Sequence, residues 1–151
     1  MIKRMLLLVA VFFLAGCAHQ ECRFNSFELE PPPVVENDRN ASEVYVLRDM
    51  TYFSGMNNLW YVAFDNRNLA KLNMGEYTKF QVPAFDSHTV SIKRWDVWWQ
   101  QFDFLTLFEP GETYYFLVGV GDEMQKVSIQ KIQQKDAEVW LTNSRYVPVG
   151  R

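Results

Sequence analysis

Hydrophobic and polar positions divide this 151-residue chain into three stretches. Met5 to Leu14 (MLLLVAVFFL) is an unbroken apolar run behind the basic pair Lys3 and Arg4. Residues 18 to 42 show no period. Pro31-Pro32-Pro33 favours extended polyproline II, and Glu36-Asn37-Asp38-Arg39-Asn40 is polar throughout. Phe24, Phe27 and Leu29 do not suit a pure linker; they are expected either to rest on a bilayer surface or to pack on the domain as an edge segment.

From Glu43 the pattern turns to strands separated by turn residues. Val44-Tyr45-Val46-Leu47 and Leu59 to Phe64 are continuous β-rich runs, as expected of strands covered on both faces. Asp65-Asn66-Arg67-Asn68 suits a tight turn, and a short strand from Leu69 to Leu72 stops at Asn73-Met74-Gly75. Tyr77 to Val82 alternates, with Thr78, Phe80 and Val82 on one face, and Pro83 ends it. His88 to Trp95 alternates too, placing Val90 and Ile92 together. Asp103 to Phe108 leads into the turn Pro110-Gly111; Thr113 to Val120 and Lys126 to Ile132 follow as strands. Only the tail invites a helix, with Asp136 as N-cap and Ala137, Trp140 and Leu141 on one face. Seven or eight short strands at this spacing predict an all-β antiparallel sandwich with a short C-terminal helix.

The apolar run near the start is too short for a bilayer span, which needs roughly twenty residues. It has the basic, apolar and small-residue order of a secretory signal. It closes on Leu14-Ala15-Gly16-Cys17, which resembles a bacterial lipobox, where the leader is cut and the cysteine is acylated. The expected organisation is a lipoprotein signal peptide at 1–16, an acylated Cys17 with a tether to residue 42, and a β-sandwich domain over 43–151. The membrane is then a partner through acyl chains on Cys17, and two or more chains anchor a protein stably. Ala18, rather than Asp, follows the cysteine. In Gram-negative cells an Asp there resembles an inner-membrane retention signal, so the expected location is the outer membrane, facing the periplasm.

Composition narrows the function classes. The mature chain would begin at Cys17 and carry 135 residues, enough for one domain. Losing Lys3 and Arg4 moves the formal charge from −3 to −5, and no basic run remains, which argues against a nucleic-acid partner. With Cys17 acylated, Cys22 has no partner within the chain. His19-Gln20-Glu21-Cys22 offers too few ligands for a metal site. His88 stands beside Asp86 and Ser87, but no glycine pattern of a nucleophile elbow surrounds any serine. Gly119-Val120-Gly121 lacks the partners of a phosphate loop, and a strand end needing a permissive backbone accounts for it. No catalytic, metal or cofactor constellation is expected, and the chain reads as non-enzymatic.

Trp95-Asp96-Val97-Trp98-Trp99 is the most unusual stretch of the mature chain. Trp95, Trp98 and Trp99 are candidates for ligand or partner contact, as a platform for a sugar, a peptide or a protein hot spot. They could also cap one end of the sandwich as core, or dip into the bilayer interface. The reading is a binding or scaffold module with an envelope protein or glycan partner. The alternative is a small envelope glycan hydrolase or hydrolase inhibitor using Trp95 to Trp99, with Asp86, Asp96 or Asp103 as carboxylates.

Val44-Tyr45-Val46-Leu47-Arg48, Gly75-Glu76-Tyr77, Pro83 with His88, and Gly111-Glu112-Thr113-Tyr114-Tyr115 occur in an order that resembles a family of small bacterial lipoproteins known only as a domain of unknown function. Its members show Y-V-x-R, G-x-Y, P-G-x-H and G-x-x-Y-Y segments. The likeness covers roughly Glu43 to Val120. The chain departs at Pro83-Ala84-Phe85-Asp86-Ser87, a longer loop without the glycine. The resemblance implies a β-sandwich behind a lipid anchor; it supplies no reaction, cofactor or substrate, and lends the tryptophan segment no role.

Overall fold

A computed structural model describes residues 28–50, 59–94, 101–120 and 127–150. Among these, a 3-10 turn at Asp38–Asn40 leads into nine strands and one α-helix in the order β1 (Ala41–Arg48), β2 (Trp60–Phe64), β3 (Arg67–Leu72), β4 (Glu76–Pro83), β5 (Ser87–Arg94), β6 (Gln101–Leu107), β7 (Thr113–Val120), β8 (Val127–Ile132), α1 (Gln134–Leu141) and β9 (Arg145–Tyr146). They form two sheets, β8-β7-β1-β4-β9 and β3-β2-β5-β6. The fold is an all-β sandwich. Most neighbours are antiparallel, but β1 runs parallel to β7 and β4 parallel to β9.

The period-two pattern decides which side chains meet between the sheets. Val44 and Val46 of β1, Phe80 and Val82 of β4, and Tyr114, Phe116 and Val118 of β7 face Trp60, Val62, Phe64, Val90 and Ile92 of the other sheet. Phe104 meets Phe116 edge-on at 5.2 Å, and Phe64 meets Phe80 at 5.9 Å. Such crossed rings add to the burial of their area. Leu69 is the extra residue of a bulge opposite Val62 and Ala63, so it joins its neighbour Ala70 in the core.

Turn chemistry fixes the registers. Asp65 and Asn66 both have positive φ (46° and 68°), as a two-residue type I′ hairpin turn requires. Gly111 at φ 77° turns the chain into β7 and donates to Ala41 O at 2.8 Å. The loop from Pro83 to Ser87 also uses a left-handed residue, and Phe85 supplies it at φ 71°. Gly119 differs from expectation. It lies inside β7 without a positive φ, and a Cβ there would collide with the Asp49 carboxylate. Close approach, not backbone freedom, accounts for this glycine.

The ends close one side of the sandwich. Ala41 and Ser42, expected in the tether, are buried strand residues. Earlier still, Glu30 N–H donates to Asn68 O at 2.7 Å, and its carboxylate takes Arg67 Nε at 3.1 Å. Gly150 N–H donates to Leu69 O at 3.0 Å, and Gly150 packs on Glu30 and Pro31. Thus Leu29-Glu30 lies along the edge of β3, as the edge-segment reading holds; Phe24 and Phe27 lie outside the described residues. The helix begins at Gln134, with Gln133 extended at the N-cap position and Asp136 in the first turn, where a carboxylate suits the helix dipole. Among the described residues no helix is long and apolar enough to cross a membrane.

Candidate functional site

Alternation that buries Val44 and Val46 turns Glu43, Tyr45 and Leu47 to the outer face of the five-stranded sheet. Register then assembles what sequence order scatters. Tyr45 lies opposite Tyr115 across the parallel pair, Leu47 opposite Tyr77, and Tyr77 opposite Tyr146. The four rings form a row across β7, β1, β4 and β9. Tyr45 stacks on Tyr115 at 5.0 Å and 25°, and on Tyr77 at 6.2 Å and 21°. Tyr77 meets Tyr146 at 5.5 Å.

That geometry sets what the row can do. Both faces of Tyr45 are taken by neighbouring rings, which leaves its edge and hydroxyl for outside contact. A protein surface can use edges and hydroxyls, and tyrosine is enriched at such contacts. Charge borders the row: Lys79 Nζ sits 5.8 Å from the Tyr45 ring and 3.7 Å from the Glu43 carboxylate. Burial, together with the Glu43 carboxylate bonded beside it, pushes the Tyr45 phenol up to about 12. Tyr115 is raised as well, by burial and then by Glu43 and Glu138. Both phenols therefore stay protonated donors at neutral pH. Helix α1 packs against β7 and β1 with Ala137 buried, and covers the face on one side of the row.

The outer face of the other sheet carries a polar network instead. Ser91 Oγ donates to Asp103 Oδ1 at 2.7 Å, and Gln101 Nε2 donates to the same oxygen at 2.8 Å. Lys93 Nζ donates to Asn68 Oδ1 at 3.1 Å and to Asn66 O at 3.3 Å. Burial pulls the Lys93 ammonium below the ordinary lysine range, with Asp103 and Glu30 opposing. Ser91, Asn68 and Lys93 are buried, and this cluster braces the sheet.

Further charge lies at the sandwich end where β1, β5 and β7 finish. There Arg48 and Arg94 are buried, Arg48 Nη1 donates to Leu72 O at 2.7 Å, and its guanidinium lies 4.0 Å over Trp60. At the opposite end His88 Nδ1 bonds Asp65 Oδ2 at 2.6 Å, and its ring packs 4.9 Å from Phe64. A carboxylate only accepts, so Nδ1 carries the proton and Nε2 is left buried without a hydrogen-bond partner. The sequence set His88 beside Asp86 and Ser87; the fold pairs it with Asp65, in the turn that follows the neighbouring strand β2.

Cys17, Trp95, Trp98 and Trp99 lie outside the described residues, as do Asp96 and Cys22. Asp86 precedes the start of β5, about 25 Å from Arg94 at its end by strand spacing. Asp103, opposite Ser91, is about 17 Å from Asp86 by the same measure. These two carboxylates therefore do not make the pair, roughly 5–10 Å apart, that glycoside hydrolysis uses. Among the described residues no three His, Cys, Asp or Glu side chains gather to hold a metal ion. No model of a known protein family matches the chain, and none of the curated proteins matches it.

Sequence reasoning missed the tyrosine row. Tyr45, Tyr77 and Tyr115 each sit in a predicted strand, but their meeting depends on the parallel β1–β7 pair and on strand order.

Proposed function

We propose that this chain is a lipid-anchored bacterial envelope protein, a non-enzymatic binding module that meets a protein partner with the tyrosine-lined outer face of its five-stranded sheet. The observation that carries the reading of the face is the stacked row Tyr115–Tyr45–Tyr77–Tyr146, half-exposed and bordered by Lys79 and Glu43. Stacking fixes the rings before any partner arrives, so little side-chain entropy is lost on contact. The anchor rests on the basic start, the short apolar run and Leu14-Ala15-Gly16-Cys17, supported by the resemblance to small bacterial lipoproteins. Acylated Cys17 lies thirteen residues before Glu30, where the chain is bound to β3. That is about 45 Å fully extended, and it keeps the domain near one membrane.

Photo-crosslinking in living cells tests the face. A benzophenone side chain replacing Tyr45, Tyr77 or Tyr146 should each give the same discrete protein adduct, and one replacing exposed Glu112 should not. No adduct at the three tyrosines, or the same adduct at Glu112, would overturn the reading.

A further inference from the structure

The two sheets have four outer edges, and three are protected. The edge of β3 accepts hydrogen bonds from Glu30 and Gly150. The strand β9 is two residues long and carries Arg145, and β8 exposes Gln130 and Lys131. Short edges, lysines and covering segments are the usual means of keeping strands from pairing with other chains. Among the described residues the strand β6 has none of them; β8 of the other sheet comes close to it but pairs with β7. It is seven residues long, ends the four-stranded sheet, and bears Asp103 as its one charge.

Its burial is also incomplete on both faces. Phe102 and Phe104 pack on the core yet stay half-exposed, while Leu105 and Leu107 are 69% and 54% exposed on the outer face. Phe85, 68% exposed, lies against the same end, its N–H bonded to Phe108 O. An apolar patch beside an open edge is a place for an added strand.

We propose that β6 pairs antiparallel with β6 of a second copy, about a two-fold axis through Leu105. In that register Leu105 faces its own mate, Leu107 faces Asp103, and Thr106 faces Phe104. Leu105 and Leu107 of both copies form one apolar block, and the half-exposed Phe104 is covered. Charge agrees with self-pairing. The two Asp103 carboxylates fall four residues apart along the ladder, about 14 Å, beyond the Debye length of about 8 Å at physiological salt. Each is already held by its own Ser91 and Gln101. The result is a continuous eight-stranded sheet across two molecules, an isologous contact.

The test is cysteine cross-linking in full-length protein. A residue on the axis meets its mate at a Cα separation of about 4.5–5.5 Å, inside the disulfide range. With Cys22→Ser as background, Leu105→Cys should oxidise to a dimer as its main product. The background alone, and Val139→Cys at a comparably exposed helix position, should stay monomeric. Equal cross-linking of Leu105→Cys and Val139→Cys would overturn the proposal. Light scattering gives a second reading: the parent protein should be dimeric, and Leu105→Lys with Leu107→Lys monomeric with an unchanged circular dichroism spectrum. A monomeric parent, or a lysine variant that loses vesicle binding with no change of mass, would assign the patch to another partner and refute self-pairing.

Discussion

Glu76 is a buried carboxylate that ties two otherwise separate segments, and removing it has consequences that can be worked through. It is 3% exposed at the start of β4. It accepts Asn73 N–H at 2.8 Å and Asn73 Nδ2 at 3.2 Å, closing the β3–β4 turn, and it pairs with Arg145 of β9. Glu76→Ala removes a charge-assisted bond to a backbone N–H, worth about 1.5–3 kcal/mol. The ion pair adds less than about 1 kcal/mol, because the Arg145 side chain is mostly in water. The strand β9 keeps its backbone bond from Arg145 N–H to Gly75 O at 2.9 Å. A loss of about 2–4 kcal/mol is therefore expected in urea unfolding at pH 7. Glu76→Gln keeps an acceptor for Asn73 and should lose about 1 kcal/mol.

The pH dependence separates charge from shape. Burial alone would raise the Glu76 pKa, but the bonds from Asn73 N–H, Arg145 and the Asn73 amide to the ionised form outweigh it and hold the carboxyl below its ordinary value. A lowered folded pKa gives stability that is complete above the unfolded value, near 4.3, and is lost as pH falls through the folded one. The wild type should thus lose its advantage over Glu76→Gln as pH drops below about 4.5. A wild-type advantage that stays constant from pH 7 to pH 3 would refute the electrostatic part of this reasoning.

Two further substitutions probe turn and packing. Asp65→Ala removes the acceptor of Thr89 N–H (2.9 Å) and of His88 Nδ1 at a left-handed turn position, and should cost about 2–3 kcal/mol; Asp65→Asn, which tolerates that backbone and keeps one acceptor, should cost clearly less in the same urea titration. Gly119→Ala drives a methyl into the Asp49 carboxylate and should cost about 1–3 kcal/mol. Adding Asp49→Gly should make the pair less destabilised than the sum of the single changes, and strict additivity in thermal melts would show that the close approach is not the reason for the glycine.

Much of the sandwich is legible in the chain because its strands obey local rules. Thr78, Phe80 and Val82 alternate with polar residues and turn inward, the continuous run Trp60 to Phe64 is buried throughout, and Asp65-Asn66 and Pro110-Gly111 make the expected turns. The face of α1 was legible too, since Ala137 is buried and Trp140 and Leu141 are half-buried. What escaped is non-local. The parallel pairing of β1 with β7, with sixty-four residues between them, leaves no mark on either strand. Without it Tyr45 and Tyr115 are two unrelated strand residues. Buried Arg48, Lys93 and Arg94 read as surface charges until neighbours satisfy them: a carbonyl and an indole face for Arg48, an amide and a carbonyl for Lys93. Gly119 reads as a strand end because the group it makes room for, Asp49, is seventy residues away in sequence. Of the site residues named from sequence, Cys17, Trp95, Trp98 and Trp99 lie outside the described residues, and the tyrosine row is the site that the fold adds.

The central claim is that Cys17 is acylated and holds this domain at a bacterial membrane. Cells fed an alkyne fatty acid, expressing either the wild type or Cys17→Ala, test it directly, with acylation and membrane fraction read on the same samples. Label and membrane association on the wild type, both absent from the variant, are the predicted result. Equal labelling of the two proteins, or none on either, would contradict the account.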